Sequence, residues 1–130
     1  MNAQLDQLKW DDKGLIPAII QDEKTGQVLV LFWRNKEALE KTIATGKVHT
    51  YSRSRGRLAL KGETSGHFEL VKSVRTDCDQ DVVLIGVEQI GAACHEGYYS
   101  CFYRKYETGG AEWKIDGKRM FDPEKVYHKK

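Results

Sequence analysis

Three cysteines, Cys78, Cys94 and Cys101, and three closely spaced aspartates, Asp77, Asp79 and Asp81, are the residues of this chain with the most chemistry to offer. Cys94-His95-Glu96-Gly97 and Ser100-Cys101-Phe102 set two soft ligands on either side of a glycine-containing turn, near enough in sequence to reach one ion. Zinc prefers thiolates in tetrahedral geometry, and a zinc with three cysteine ligands keeps its fourth position for water, as catalytic zinc does. Such a water ionises near neutral pH. On spacing alone the competing reading, two buried small hydrophobes, stays open.

In Asp77-Cys78-Asp79-Gln80-Asp81 an extended backbone would send the aspartates to one face and Cys78 to the other. One segment would then serve two metals, a hard cation such as magnesium at the carboxylates and zinc at the thiolate. A solvated acidic turn is the alternative. Ser52-Arg53-Ser54-Arg55 and Lys61-Gly62-Glu63-Thr64-Ser65-Gly66-His67 offer guanidinium forks, hydroxyls and glycine-exposed amides suited to phosphate oxygens, although each alone also reads as polar surface. His95, next to a cysteine, and His67, at the end of the glycine-rich loop, are candidates for proton transfer. His49 and His128 lack such surroundings.

These groups need a scaffold, and 130 residues suffice for one compact domain. A hydrophobic fraction of 40% and a charged fraction of 31% exclude disordered and fibrous classes. The chain has no apolar run of about 20 residues, and Met1 to Trp10 lacks the apolar core of a secretory signal, so a cytoplasmic protein without a membrane partner is expected. A net charge of +2 argues against a nucleic-acid partner, and the clustered Arg53, Arg55, Arg57 and Lys61 suggest a local anion site instead. An odd cysteine count in a reducing compartment argues against a disulfide framework.

The pattern predicts a strand-rich α+β domain. Leu15 to Ile20 reads as a strand whose Pro17 suits a sheet edge or strand start, with Val28 to Trp33 as its hairpin partner. One helix is predicted, capped by Asn35, ended by Gly46, with Leu39 and Ile43 on a shared face. Val48 to Leu60 reads as strands joined near Gly56; Phe68 to Thr76 and Val82 to Val87 read as strands meeting at the acidic turn. Tyr98 to Tyr106 continues the β-rich pattern, and a polar tail follows Gly110.

Taken together, the blocks Leu15 to Asp22, Val28 to Thr45, Tyr51 to Arg55, Lys61 to His67, Asp77 to Asp81 and Gly91 to Tyr103 resemble phosphoribosyl-AMP cyclohydrolase, the ring-opening enzyme of histidine biosynthesis. Lys-Gly-Glu-Thr-Ser-Gly-His and Ala-Cys-His-x-Gly-x-x-Ser-Cys-Phe-Tyr carry most of the likeness. The resemblance implies a small mixed-sheet, barrel-like domain with one main helix, forming an intertwined homodimer. It implies zinc on Cys78, Cys94 and Cys101, with Cys78 from one subunit and the other two from its partner, and magnesium on Asp77, Asp79 and Asp81. The implied reaction is hydrolysis of the N1–C6 bond of 1-(5-phosphoribosyl)-AMP, a small-molecule substrate, with His95 and His67 moving protons. Ser52, Arg53, Arg55, Lys61, Glu63, Thr64 and Ser65 are the expected substrate contacts. The sequence departs from the family pattern at Arg34, where methionine is common, at Thr50-Tyr51 for Tyr-Trp, and at Ala59 for tryptophan. A monofunctional enzyme is expected, with residues 1–108 as the cyclohydrolase domain and 109–130 as an extension of unassigned role. The alternatives are a paralogue acting on another purine nucleotide and a non-catalytic, zinc-stabilised nucleotide- or RNA-binding module.

Overall fold

The structure, a computed structural model, describes residues 3–52 and 56–122. Arg53, Ser54, Arg55 and His128 lie outside the described residues, as does the side chain of Ser52. The elements are a 3-10 turn (Ala3–Gln7), then β1 (Leu15–Asp22), β2 (Val28–Asn35), α1 (Lys36–Thr45), β3 (His49–Ser52), β4 (Arg57–Leu60), β5 (Glu69–Thr76), β6 (Val83–Gln89), β7 (Arg104–Tyr106) and β8 (Trp113–Ile115). This is the strand-rich, single-helix α+β arrangement that the sequence predicts.

The main sheet runs β2-β1-β6-β5, with β1 and β6 parallel and the other pairs antiparallel. It is a mixed sheet, but it is open, with β2 and β5 as its edges; the described strands do not close into a barrel. Period-two patterning buries Ile16, Ala18 and Ile20 of β1 on the same face as Val83, Ile85 and Val87 of β6, which makes these two strands the centre of the core. Pro17 therefore sits in a central strand and not at a sheet edge. It is accommodated because pairing of β1 with β6 begins only at Ala18, so no ladder bond to β6 is lost at Pro17.

The helix starts where Asn35 Oδ1 accepts from the Ala38 amide at 2.8 Å and ends where Gly46, at φ 76°, donates to the Thr42 carbonyl. Its inner face differs from the predicted Leu39/Ile43 stripe. Ala38, Leu39 and Thr42 are buried while Ile43 is exposed. Thr42 replaces Ile43 because its hydroxyl has polar work to do, donating to the Ala38 carbonyl and accepting from the His49 amide at 2.9 Å. That second bond fixes the start of β3, and His49, buried with Nδ1 2.8 Å from the Lys47 carbonyl, is a structural residue.

Candidate active site

The segment between β5 and β6 is a turn, which corrects the expectation of an extended backbone. The Gln80 amide donates to the Asp77 carbonyl, Gln80 takes φ 62°, and the Asp81 amide donates to Asp77 Oδ1 at 3.2 Å. The Lys9 amide donates to the Gln80 carbonyl and pins the turn to the N-terminal segment. Curling, not alternation, brings the carboxylates together: oxygen atoms of Asp77, Asp79 and Asp81 lie within 4.8 Å of one another, all exposed. Three oxygen ligands at this spacing suit a hard divalent cation. Cys78, in the same turn, is exposed.

The other two cysteines lie beyond the opposite end of β6. The loop Gly91 to Tyr103 doubles back on itself through Ala93 N–H to the Tyr99 carbonyl and Cys94 N–H to the Tyr98 carbonyl. It is bolted to β2 by Cys101 N–H to the Leu29 carbonyl and by the buried Ser100, whose Oγ donates to the Val28 carbonyl at 2.8 Å. These bonds replace strand pairing, so only Arg104–Tyr106 of the predicted Tyr98 to Tyr106 β-region is a strand. The Tyr99 hydroxyl donates to Asp22 Oδ2, which holds that carboxyl below its usual range. Within the loop the Cys94 and Cys101 thiols are hydrogen-bonded neighbours, and burial followed by Cys94 pushes the Cys101 thiol up to about 12. A bound cation reverses that preference by stabilising the thiolate. The Glu96 amide, 3.4 Å from Cys94 Sγ, is already placed to donate to it.

Cys78 does not come within metal-sharing distance of this pair in one chain. The seven residues of β6 separate them, a span of roughly 20 Å at about 3.3 Å per residue.

The Lys61–His67 loop borders the cysteine loop, joined to it by Lys61 Nζ donating to the Ala93 carbonyl at 2.7 Å. His67 reaches the same place through its ring, whose Nδ1 accepts from the Ala92 amide at 3.3 Å. His95 is exposed, with Nε2 3.3 Å from Glu96 Oε2. Glu63 and Thr64 are exposed, and Ser65 Oγ, half-buried, accepts from the His67 amide. Thus Cys94, Cys101, His95, His67 and the Lys61–Ser65 loop share one region, whereas Cys78 and the aspartates occupy the other end of β6. The loop's shape depends on Gly62, which combines φ +94° with a backbone approach so close that a Cβ would stand 2.7 Å from the His67 carbonyl. Gly66 also has positive φ, +81°, but faces open space. Gly62→Ala is therefore expected to cost about 1–3 kcal/mol more than Gly66→Ala and to displace His67. Thermal midpoints of the two variants check this; equal losses would contradict it.

Sequence reasoning missed Glu69. It opens β5 with no exposure, and neither carboxylate oxygen has a hydrogen-bond partner among the described residues. Burial pushes its carboxyl from 4.5 up to about 7, with Lys61 and Arg34 pulling the other way. Arg34, equally buried and stacked with its guanidinium carbon 4.5 Å from the Phe32 ring centre, is lowered to about 10 by burial and opposed by Glu69. Because the folded protein holds the Glu69 proton more tightly than the unfolded chain, its contribution is complete below pH 4.5 and is lost as pH rises through about 7. The loss is on the order of 3 kcal/mol. Glu69→Gln should flatten the decline of the thermal midpoint between pH 5 and pH 8; an unchanged slope would refute the assignment.

Histidines beside a thiol pair, carried on a strand-rich α+β domain, are the equipment of an enzyme, and its relatives are enzymes. The chain belongs to the phosphoribosyl-AMP cyclohydrolase family, whose model matches residues 30–103. The phosphoribosyl-AMP cyclohydrolase of Pelotomaculum thermopropionicum is 53% identical over 130 residues, the full length of both chains. That of Albidiferax ferrireducens is 50% identical over 127 residues, covering 95% of this chain and 97% of the relative. The histidine biosynthesis bifunctional protein HisIE of Thermoanaerobacter pseudethanolicus is 57% identical over 127 residues; the match takes in 98% of this chain but 58% of that longer protein.

Proposed function

We propose that the protein hydrolyses the N1–C6 bond of the purine of 1-(5-phosphoribosyl)-AMP. The ring opens to the phosphoribosyl-formimino-aminoimidazole carboxamide ribotide, no ammonia leaves, and the reaction is the third step of histidine biosynthesis. The observation that carries this reading is end-to-end agreement, at 53% identity, with a relative of that name. The chemistry of the site supports it. Cys94 and Cys101, with Cys78 of the partner subunit, would hold zinc in a homodimer, and Asp77, Asp79 and Asp81 would hold magnesium. Zinc would supply the Lewis acidity that makes water a nucleophile at neutral pH, and magnesium would compensate phosphate charge.

The chain's own residues do the rest. His95, exposed with Nε2 3.3 Å from the Glu96 carboxylate, accepts a proton from the attacking water. Lys61 holds the cysteine loop through Ala93 and brings a positive charge to the site. Glu63, Thr64 and Ser65 present polar groups along the loop beside it, and Ser52, Arg53 and Arg55 supply the arms for the phosphoribosyl ends. No helix among the described residues is long and apolar enough to cross a membrane. The test is to follow ring opening of phosphoribosyl-AMP by the zinc- and magnesium-loaded protein, with AMP in a parallel reaction. Turnover of the first substrate alone is expected. Turnover of AMP alone would make the protein a paralogue with another substrate, and turnover of neither would remove the enzymatic reading.

A further inference from the structure

His67 sits in a socket made by two separate parts of the chain, residues 91–92 and Phe121. The Ala92 amide donates to Nδ1, and a neutral imidazole with one nitrogen accepting must carry its hydrogen on the other. The glycine at position 91 lets the ring lie against the backbone: a Cβ there would stand 2.6 Å from His67 Cγ and Cδ2. The Phe121 ring closes the remaining side edge-on, with centroids 4.9 Å apart and planes at 68°.

Phe121 arrives there on a segment that hugs the cysteine loop. The Asp116 amide donates to the Tyr103 carbonyl, and the Met120 amide to the Gly97 carbonyl, both at 2.6 Å. Arg119 bridges to Tyr98, and its guanidinium lies 3.8 Å from Glu96. The fit is close enough that a Cβ on Gly97 would meet the Phe121 carbonyl oxygen at 2.4 Å. The segment begins beyond residue 103, where the family match ends.

We propose that residues 116–121 are a positioning strap for the active site, in which Phe121 holds His67 as a neutral ring that donates a hydrogen bond through Nε2. His67 then serves ring opening as a donor to the substrate and not as the base. With Nδ1 occupied by the Ala92 amide, Nε2 is the ring nitrogen left to make a further hydrogen bond. The proposal rests on the cyclohydrolase reading for the reaction, but its geometry can be tested without turnover.

The experiment uses the full-length, zinc-loaded protein with nitrogen-15-labelled histidine. His67 in the unmodified protein should show a hydrogen-bearing Nε2 and a bare Nδ1; the reverse tautomer would overturn the proposal. Phe121→Ala should mix the tautomers and lower kcat by about tenfold to a hundredfold, with KM within about twofold and zinc content unchanged. Phe121→Tyr, which keeps the ring edge, should restore both signals. Unchanged tautomer and kcat in Phe121→Ala would overturn the strap, as would a loss of kcat matched by loss of zinc. Absence of turnover in an unmodified protein that shows the Nε2–H ring would instead sink the substrate assignment.

Discussion

Cys101→Ser is expected to lower turnover by about a thousandfold, on the order of 4 kcal/mol of barrier, and to strip most of the zinc while the chain stays folded. The thiol is half-buried against Cys94, and its anionic form depends on a cation to offset burial. Serine fits the same space, but its hydroxyl does not ionise in this range, so the ligand set loses a charge as well as a soft atom. The loop should survive because backbone bonds to Leu29 and the Ser100 hydroxyl anchor it, not the thiol. Elemental analysis of the purified variant beside its thermal midpoint decides the matter. Full zinc content would remove Cys101 from the ligand set.

The second large effect comes from mixing two inactive proteins. Cys78→Ser and Cys101→Ser should each be inactive alone. Unfolding and refolding them together should return about a quarter of the sites, because half the dimers are mixed and each of these has one intact site built from two chains. The physical basis is the length of β6, which keeps Cys78 away from Cys94 and Cys101 within one chain. No recovery of activity from such a mixture would refute a site shared between subunits.

Much of the scaffold was legible because its signals are local. Asn35 and Gly46 bound the helix, apolar runs marked β1 and β6, and apolar–polar alternation marked β5; all of these depend on residues near one another in sequence. The failures share a different cause. Thr42 outranks Ile43 on the inner helix face only because the His49 amide needs an acceptor there. The stretch 98–103 has strand composition, but the buried Ser100 ties it to β2 as a loop. The three aspartates were recognisable as a group from their spacing, yet their convergence comes from the turn at Gln80 and not from strand alternation. Glu69 reads as one polar residue among many until the fold removes all its solvent. Phe121 had no signal at all, since its contact with His67 spans 54 positions of sequence and belongs to a tail that composition marks as polar. The cysteines and histidines announced their chemistry by type, and the family likeness supplied the grouping that spacing left open.

The strand β6 has one more bearing on how such a protein behaves. If the zinc site is shared between subunits as proposed, a lone chain would own two incomplete halves, and catalysis would become a property of encounters between chains. Specific activity would then fall on dilution far enough to dissociate such a dimer, and would recover on concentration or when an inactive chain with intact Cys78 is added. A cell that makes little of this protein would lose activity faster than it loses protein.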